Sequence, residues 1–79
     1  MTEAQYQRKL IEKYEKEGWT VIKLIMCNKN GYPDLICMRP DKVKFIEVKS
    51  EKGRLSEIQK YRIEELKEKG FDVKVMKPC

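Results

Sequence analysis

Pro33-Asp34 and Glu47-Val48-Lys49 are the residues of this chain best suited to chemistry. Two carboxylates and an ammonium group brought together can hold a divalent metal against a phosphodiester. Hard cations such as Mg²⁺ take oxygen ligands, often only one or two carboxylates completed by waters and substrate phosphate. Asp34 and Glu47 meet that minimum, and the Val48 carbonyl can add a third oxygen. Lys49 is then left to position or help deprotonate an attacking water and to balance charge on the phosphate. An arbitrary Glu-x-Lys is more often an ordinary ion pair on an exposed strand. The Pro-Asp one hairpin upstream shifts the weight towards chemistry.

The elements that must position these groups follow from local pattern. Leu35–Met38 and Val43–Val48 are apolar or β-branched runs joined by the Pro-containing turn Arg39–Lys42, so they predict an antiparallel hairpin. Side chains alternate along a strand, which puts Phe45, Glu47 and Lys49 on one face and Ile46 and Val48 on the other. Antiparallel pairing brings the beginning of one strand beside the end of its partner, and so Asp34 beside Glu47 and Lys49. Before the hairpin, Thr2 with Gln5 marks a capping box and Gly18 a stop, predicting a helix over 3–17. Positions 3, 7, 10 and 14 share its inner stripe, which sets Glu3 and Gln7 on the side of Leu10 and Tyr14. Trp19–Met26 predicts a first strand, and Cys27–Gly31 a polar loop leading to Pro33. After the hairpin, Ser56 with Gln59 marks a second capping box and a helix over 57–69, with Ile58, Arg62, Ile63 and Leu66 inward. Phe71–Met76 predicts a last strand, with Val73 and Val75 on one face. A strand that follows a crossover helix can pair parallel, giving an α/β fold with a mixed four-stranded sheet flanked by helices.

These residues resemble a known family. Pro33-Asp34 followed by Glu47-Val48-Lys49 matches the PD-(D/E)XK nuclease signature, and Gly31–Asp34 with Phe45–Lys49 is similar to its VRR-NUC branch. The resemblance covers nearly the whole chain, because helix, strand, hairpin, helix, strand is the αβββαβ core of that restriction-endonuclease-like fold. It implies metal ligands at Asp34, Glu47 and the Val48 carbonyl, a catalytic lysine at Lys49, and Mg²⁺ or Mn²⁺ as cofactor. The family can bring an acidic residue of the first helix to the metal; that position holds Gln7 here, a weaker ligand, which makes Glu3 a substitute candidate. Glu3 also reads simply as favourable first-turn charge. The family places a glutamine at the start of the second helix to orient the lysine or water, and Gln59 matches it. Gln59 instead reads as a cap if its side chain turns back on its own helix. The resemblance further implies hydrolysis leaving 5′-phosphate and 3′-hydroxyl ends. Stand-alone relatives are often phage-encoded and resemble Holliday-junction resolvases acting as homodimers, which points to branched DNA, a four-way junction first and a flap next.

Composition agrees. Seventy-nine residues allow one domain, 1–79, of a size that buries roughly 60% of its unfolded surface. Dimerisation would relieve so small a core. Eighteen Lys and Arg against thirteen Asp and Glu give a net charge of +5, which favours a polyanion but also serves solubility. Lys29 before the hairpin, and Lys52 and Arg54 after it, are the loop cations that read either as phosphate contacts or as ordinary solvated charges; Tyr32 reads as packing more than as base stacking. No helix-turn-helix or zinc-finger pattern is present, so recognition by shape is expected over recognition by sequence. The absence of histidine excludes Ser-His-Asp hydrolysis and His-dependent nucleases. Cys27, Cys37 and Cys79 lack zinc-site spacing and read as reduced thiols. With no long apolar run or signal peptide, an intracellular setting without a membrane is expected, the bacterial host cytoplasm for a phage-encoded chain. The alternative from another class is a non-catalytic nucleic-acid-binding or assembly module on the same fold, insensitive to changes at Asp34 or Lys49.

Overall fold

Helix α1 (Glu3–Lys16) starts on its capping box: the Thr2 hydroxyl accepts the Gln5 N–H, and the Gln5 side chain accepts the Thr2 N–H. Two of the amides that a helix start leaves unpaired are thereby satisfied. The computed structural model describes residues 1–78, and Cys79 lies outside them. After α1 come β1 (Thr20–Lys23), β2 (Leu35–Arg39), β3 (Lys42–Val48), α2 (Glu57–Glu68) and β4 (Asp72–Met76). This is the expected αβββαβ order, with helix ends one residue short of those read from the sequence.

The sheet runs β1-β2-β3-β4, antiparallel through β3 and parallel between β3 and β4. A two-residue turn closes the hairpin, with Arg39 paired to Lys42 and Asp41 at φ 62°, a backbone region that aspartate tolerates better than most residues. The two faces carry two cores. Leu10 and Tyr14 of α1 pack on Leu35, Cys37, Ile46 and Val48. Ile63 and Leu66 of α2 pack on Val73, with Phe45, Tyr32 and Leu55 alongside. The strand alternation is therefore as read: Ile46 and Val48 face α1, and Phe45 faces α2. Val73 lies in the α2-side core while Val75, two residues on, is 39% exposed; Ile58, expected on the inner side of α2, is exposed. Full burial of Leu35, Ile46 and Val48 stabilises the α1 side by about 1.5–3 kcal/mol per side chain.

Strand β1 is shorter than expected. Its last pair is Lys23 with Leu35, and Leu24 N–H donates to the Asp34 carbonyl just beyond. Past that point β2 offers no partner, so Ile25 and Met26 leave the sheet at 80% and 91% exposure despite their strand-like sequence. Cys27 is an exposed and Cys37 a buried free thiol. Among the described residues, no helix is long and apolar enough to cross a membrane.

Candidate active site

The start of β2 and the end of β3 bring the two carboxylates together. Leu35 pairs with Ile46, which sets Asp34 beside the following residues of β3. Asp34 Oδ2 accepts the backbone N–H of Val48 at 2.9 Å, tying the carboxylate to the segment that holds Glu47 and Lys49. Lys49 N–H in turn donates to the Met76 carbonyl of β4 at 3.0 Å. Pro33, immediately before Asp34, is fully buried and fixes the approach of the chain.

Among the described residues, Glu47 is the one charged side chain of the core, at 2% exposure. That excludes an ordinary ion pair on an exposed strand face. Its Oε1 accepts from Gln59 Nε2 at 2.9 Å and lies 3.7 Å from Lys49 Nζ. Burial, and then the charge of Asp34, push the Glu47 carboxyl up to about 7, against the opposing pull of Lys49. Glu3 adds a smaller repulsion in the same direction, so the start of α1 lies within electrostatic reach of the site. Gln7 is half-buried on the same helix.

Gln59 resolves two readings that the sequence sets against each other. Its Oε1 accepts the Ser56 N–H at 2.9 Å, which caps α2, while its Nε2 reaches Glu47. The amide has an acceptor and a donor end, so no choice between cap and site is required. Lys29, Lys52 and Arg54 are exposed on the loops that enter and leave the hairpin.

Three residues escaped the sequence reading as parts of one arrangement. Arg62 Nε donates to the Asn30 carbonyl at 2.9 Å, and its guanidinium lies 4.8 Å from the centroid of the Tyr32 ring. The Tyr32 hydroxyl donates to Glu65 Oε1 at 2.6 Å. That bond holds the Glu65 carboxyl below its usual range and raises the Tyr32 phenol. The only signal available was the placing of Arg62 on the inner side of α2, where a cation needs a partner.

The donor set fits a hard divalent cation: two carboxylates, one of them buried, with a backbone carbonyl adjacent in sequence. Among the described residues no group of three or more His, Cys, Asp or Glu side chains gathers, so the side-chain contribution is that of two carboxylates. Chemistry rather than volume singles out this place. A surface cavity of about 540 Å³, lined by Trp19, Lys42, Lys44 and Phe71 among others, is associated with the start of β3 and not with its carboxylate end.

Comparison with known proteins agrees with this architecture. The family model of the VRR-NUC domain matches residues 3–78. A solved structure described as a VRR_NUC domain superposes with a TM-score of 0.83 at 31% sequence identity, covering 92% of this chain and 81% of its own. No curated protein matches.

Proposed function

Because the chain belongs to the VRR-NUC family, whose domain has a nuclease fold, we propose that it is a divalent-cation-dependent endonuclease hydrolysing phosphodiester bonds in branched DNA. The observation that carries the reading is the Glu47 carboxylate: 2% exposed, beside Asp34, with Lys49 and Gln59 on its Oε1. A buried carboxyl whose ionisation is opposed by burial and by a second carboxylate is characteristic of a cation-binding reaction centre.

Asp34, Glu47 and the Val48 carbonyl are the groups that would hold Mg²⁺ or Mn²⁺, with Glu3 as a further acidic neighbour. The bound cation supplies Lewis-acid polarisation of the phosphate and a more acidic attacking water. Lys49 places its ammonium at the same point, where it orients the water and offsets charge building up on phosphorus oxygens. Gln59 fixes the rotation of the Glu47 carboxylate through a bond that itself is anchored to the start of α2. Lys29, Lys52 and Arg54 bind the backbone of the DNA on either side of the cut phosphate, which leaves a 5′-phosphate and a 3′-hydroxyl. A homodimer would present two such sites to opposing strands of a four-way junction.

The test is to incubate the protein with an immobile four-way junction, a flap and a linear duplex in Mg²⁺, Mn²⁺ or EDTA, with Asp34→Asn in parallel. Paired symmetric cuts in the junction, absent with EDTA and with the variant, are expected. Binding without cutting in any cation would assign the chain instead to a non-catalytic module.

A further inference from the structure

The loop that delivers Asp34 is held residue by residue against α2. Asn30 gives its carbonyl to Arg62 Nε. Gly31 sits at φ +88°, and a Cβ there would lie 2.7 Å from Ile58 Cγ1 and 2.9 Å from the Ile58 carbonyl oxygen. Tyr32 stacks under the Arg62 guanidinium and donates its hydroxyl to Glu65 Oε1, which Arg62 Nη1 also approaches at 3.5 Å. The first turn of the same helix carries Gln59 to Glu47. One helix therefore grips one carboxylate directly and the backbone leading to the other.

We infer that Arg62, acting with Tyr32 and Glu65, is a positioning residue that fixes Asp34 relative to Glu47 without touching the reacting atoms. The Arg62 side chain is only 15% exposed and spends its Nε and Nη1 on the loop carbonyl and on Glu65, which sets it apart from the exposed cations suited to phosphate. Arginine suits the task because its planar fork can bond a carbonyl, approach a carboxylate and stack on a ring at once, whereas a lysine ammonium cannot. The placing of Asp34 is readable without metal or DNA, since its carboxylate accepts the Val48 N–H.

Amide hydrogen exchange in Arg62→Gln is the test. Val48 should exchange about tenfold faster than in the parent, with the α1 amides of Leu10 and Tyr14 within about twofold, because a local opening leaves the rest of the fold protected. Tyr32→Phe, which removes only the hydroxyl bond, should accelerate Val48 about threefold, in keeping with one lost hydrogen bond, and Arg62→Lys should not restore protection. Uniform acceleration across the chain, or an unchanged Val48, overturns the inference: the first makes Arg62 a general stabiliser, the second frees Asp34 from it. A second arm rests on the proposed activity. Arg62→Gln should raise the Mn²⁺ concentration for half-maximal cleavage about tenfold while the rate at saturating Mn²⁺ stays within about threefold, as expected of a displaced ligand. A raised KM for DNA at unchanged Mn²⁺ response would make Arg62 a phosphate contact. Should the parent protein not cleave at all, the nuclease reading falls, while Val48 exchange still decides the role of Arg62.

Discussion

Gln59 Nε2 donates to Glu47 Oε1 across 2.9 Å while Gln59 Oε1 takes the Ser56 N–H, so a single amide joins the start of α2 to a buried carboxylate of β3. Gln59→Ala breaks both links. The lost cap and the deprived carboxylate should together lower stability by about 1–2 kcal/mol. Cleavage should fall about 10- to 100-fold with the KM for DNA little changed, as expected if Gln59 acts by orienting the Glu47 carboxylate that it bonds. Chemical denaturation and steady-state kinetics on the same preparation check both parts.

The raised Glu47 carboxyl makes stability depend on pH. Between 4.5 and about 7 the folded state holds a proton that the unfolded chain has released, so stability falls as pH rises through this window and levels off above it. The span corresponds to roughly 3 kcal/mol for a group this buried. Denaturation in EDTA from pH 4.5 to 8 should show the decline, and Glu47→Gln should flatten it. Mn²⁺ favours the ionised form, so adding it should raise the melting temperature more at pH 8 than at pH 5.

Asp34→Asn should abolish cleavage yet leave the fold intact, because the asparagine carbonyl oxygen can still accept the Val48 N–H that Asp34 Oδ2 accepts. Lys49→Ala should likewise abolish cleavage and retain junction binding, measured by gel shift. Full cleavage by either purified variant would remove that residue from the chemistry.

Two glycines with nearly the same φ should respond differently to alanine. Gly31 and Gly70 lie at φ +88° and +89°, but only Gly31 has α2 within contact distance; Gly70 has nothing within 4 Å of the added carbon. Gly70→Ala should lose only about 1–2 kcal/mol for the left-handed backbone. Gly31→Ala adds a collision with Ile58 and should lose more stability, and cleavage with it, because the displaced loop carries Asp34. Thermal melts and the junction assay on the pair separate backbone strain from site geometry.

Much of this was legible in the sequence because it is local. The Thr2/Gln5 and Ser56/Gln59 boxes, the Pro40-Asp41 turn and the alternation from Phe45 to Val48 each follow from a few adjacent residues. Strand antiparallelism then places Asp34 against Glu47 without further information. The end of β1 was not legible, since Leu24–Met26 have strand composition and stop only because β2 begins at Leu35. The Arg62–Asn30 and Tyr32–Glu65 bonds join residues 32 and 33 positions apart, and no pattern in either segment announces the other. The two roles of Gln59 looked exclusive because sequence reasoning assigns a side chain one direction, whereas its amide has two ends.

The backbone of Lys49 is fastened to Met76 by the N–H that it donates to the Met76 carbonyl. Met76 ends the last strand, and a chain made from its amino terminus reaches that strand after every other element of the fold. Until this segment has been synthesised, the backbone beside the lysine has no β4 to hold it, and Ile63 and Leu66 of α2 lack Val73, the β4 residue they pack on. The backbone position of Lys49 is thus completed only by the last strand of the fold, and the cleavage proposed above would depend on that strand as well as on the hairpin that carries the carboxylates.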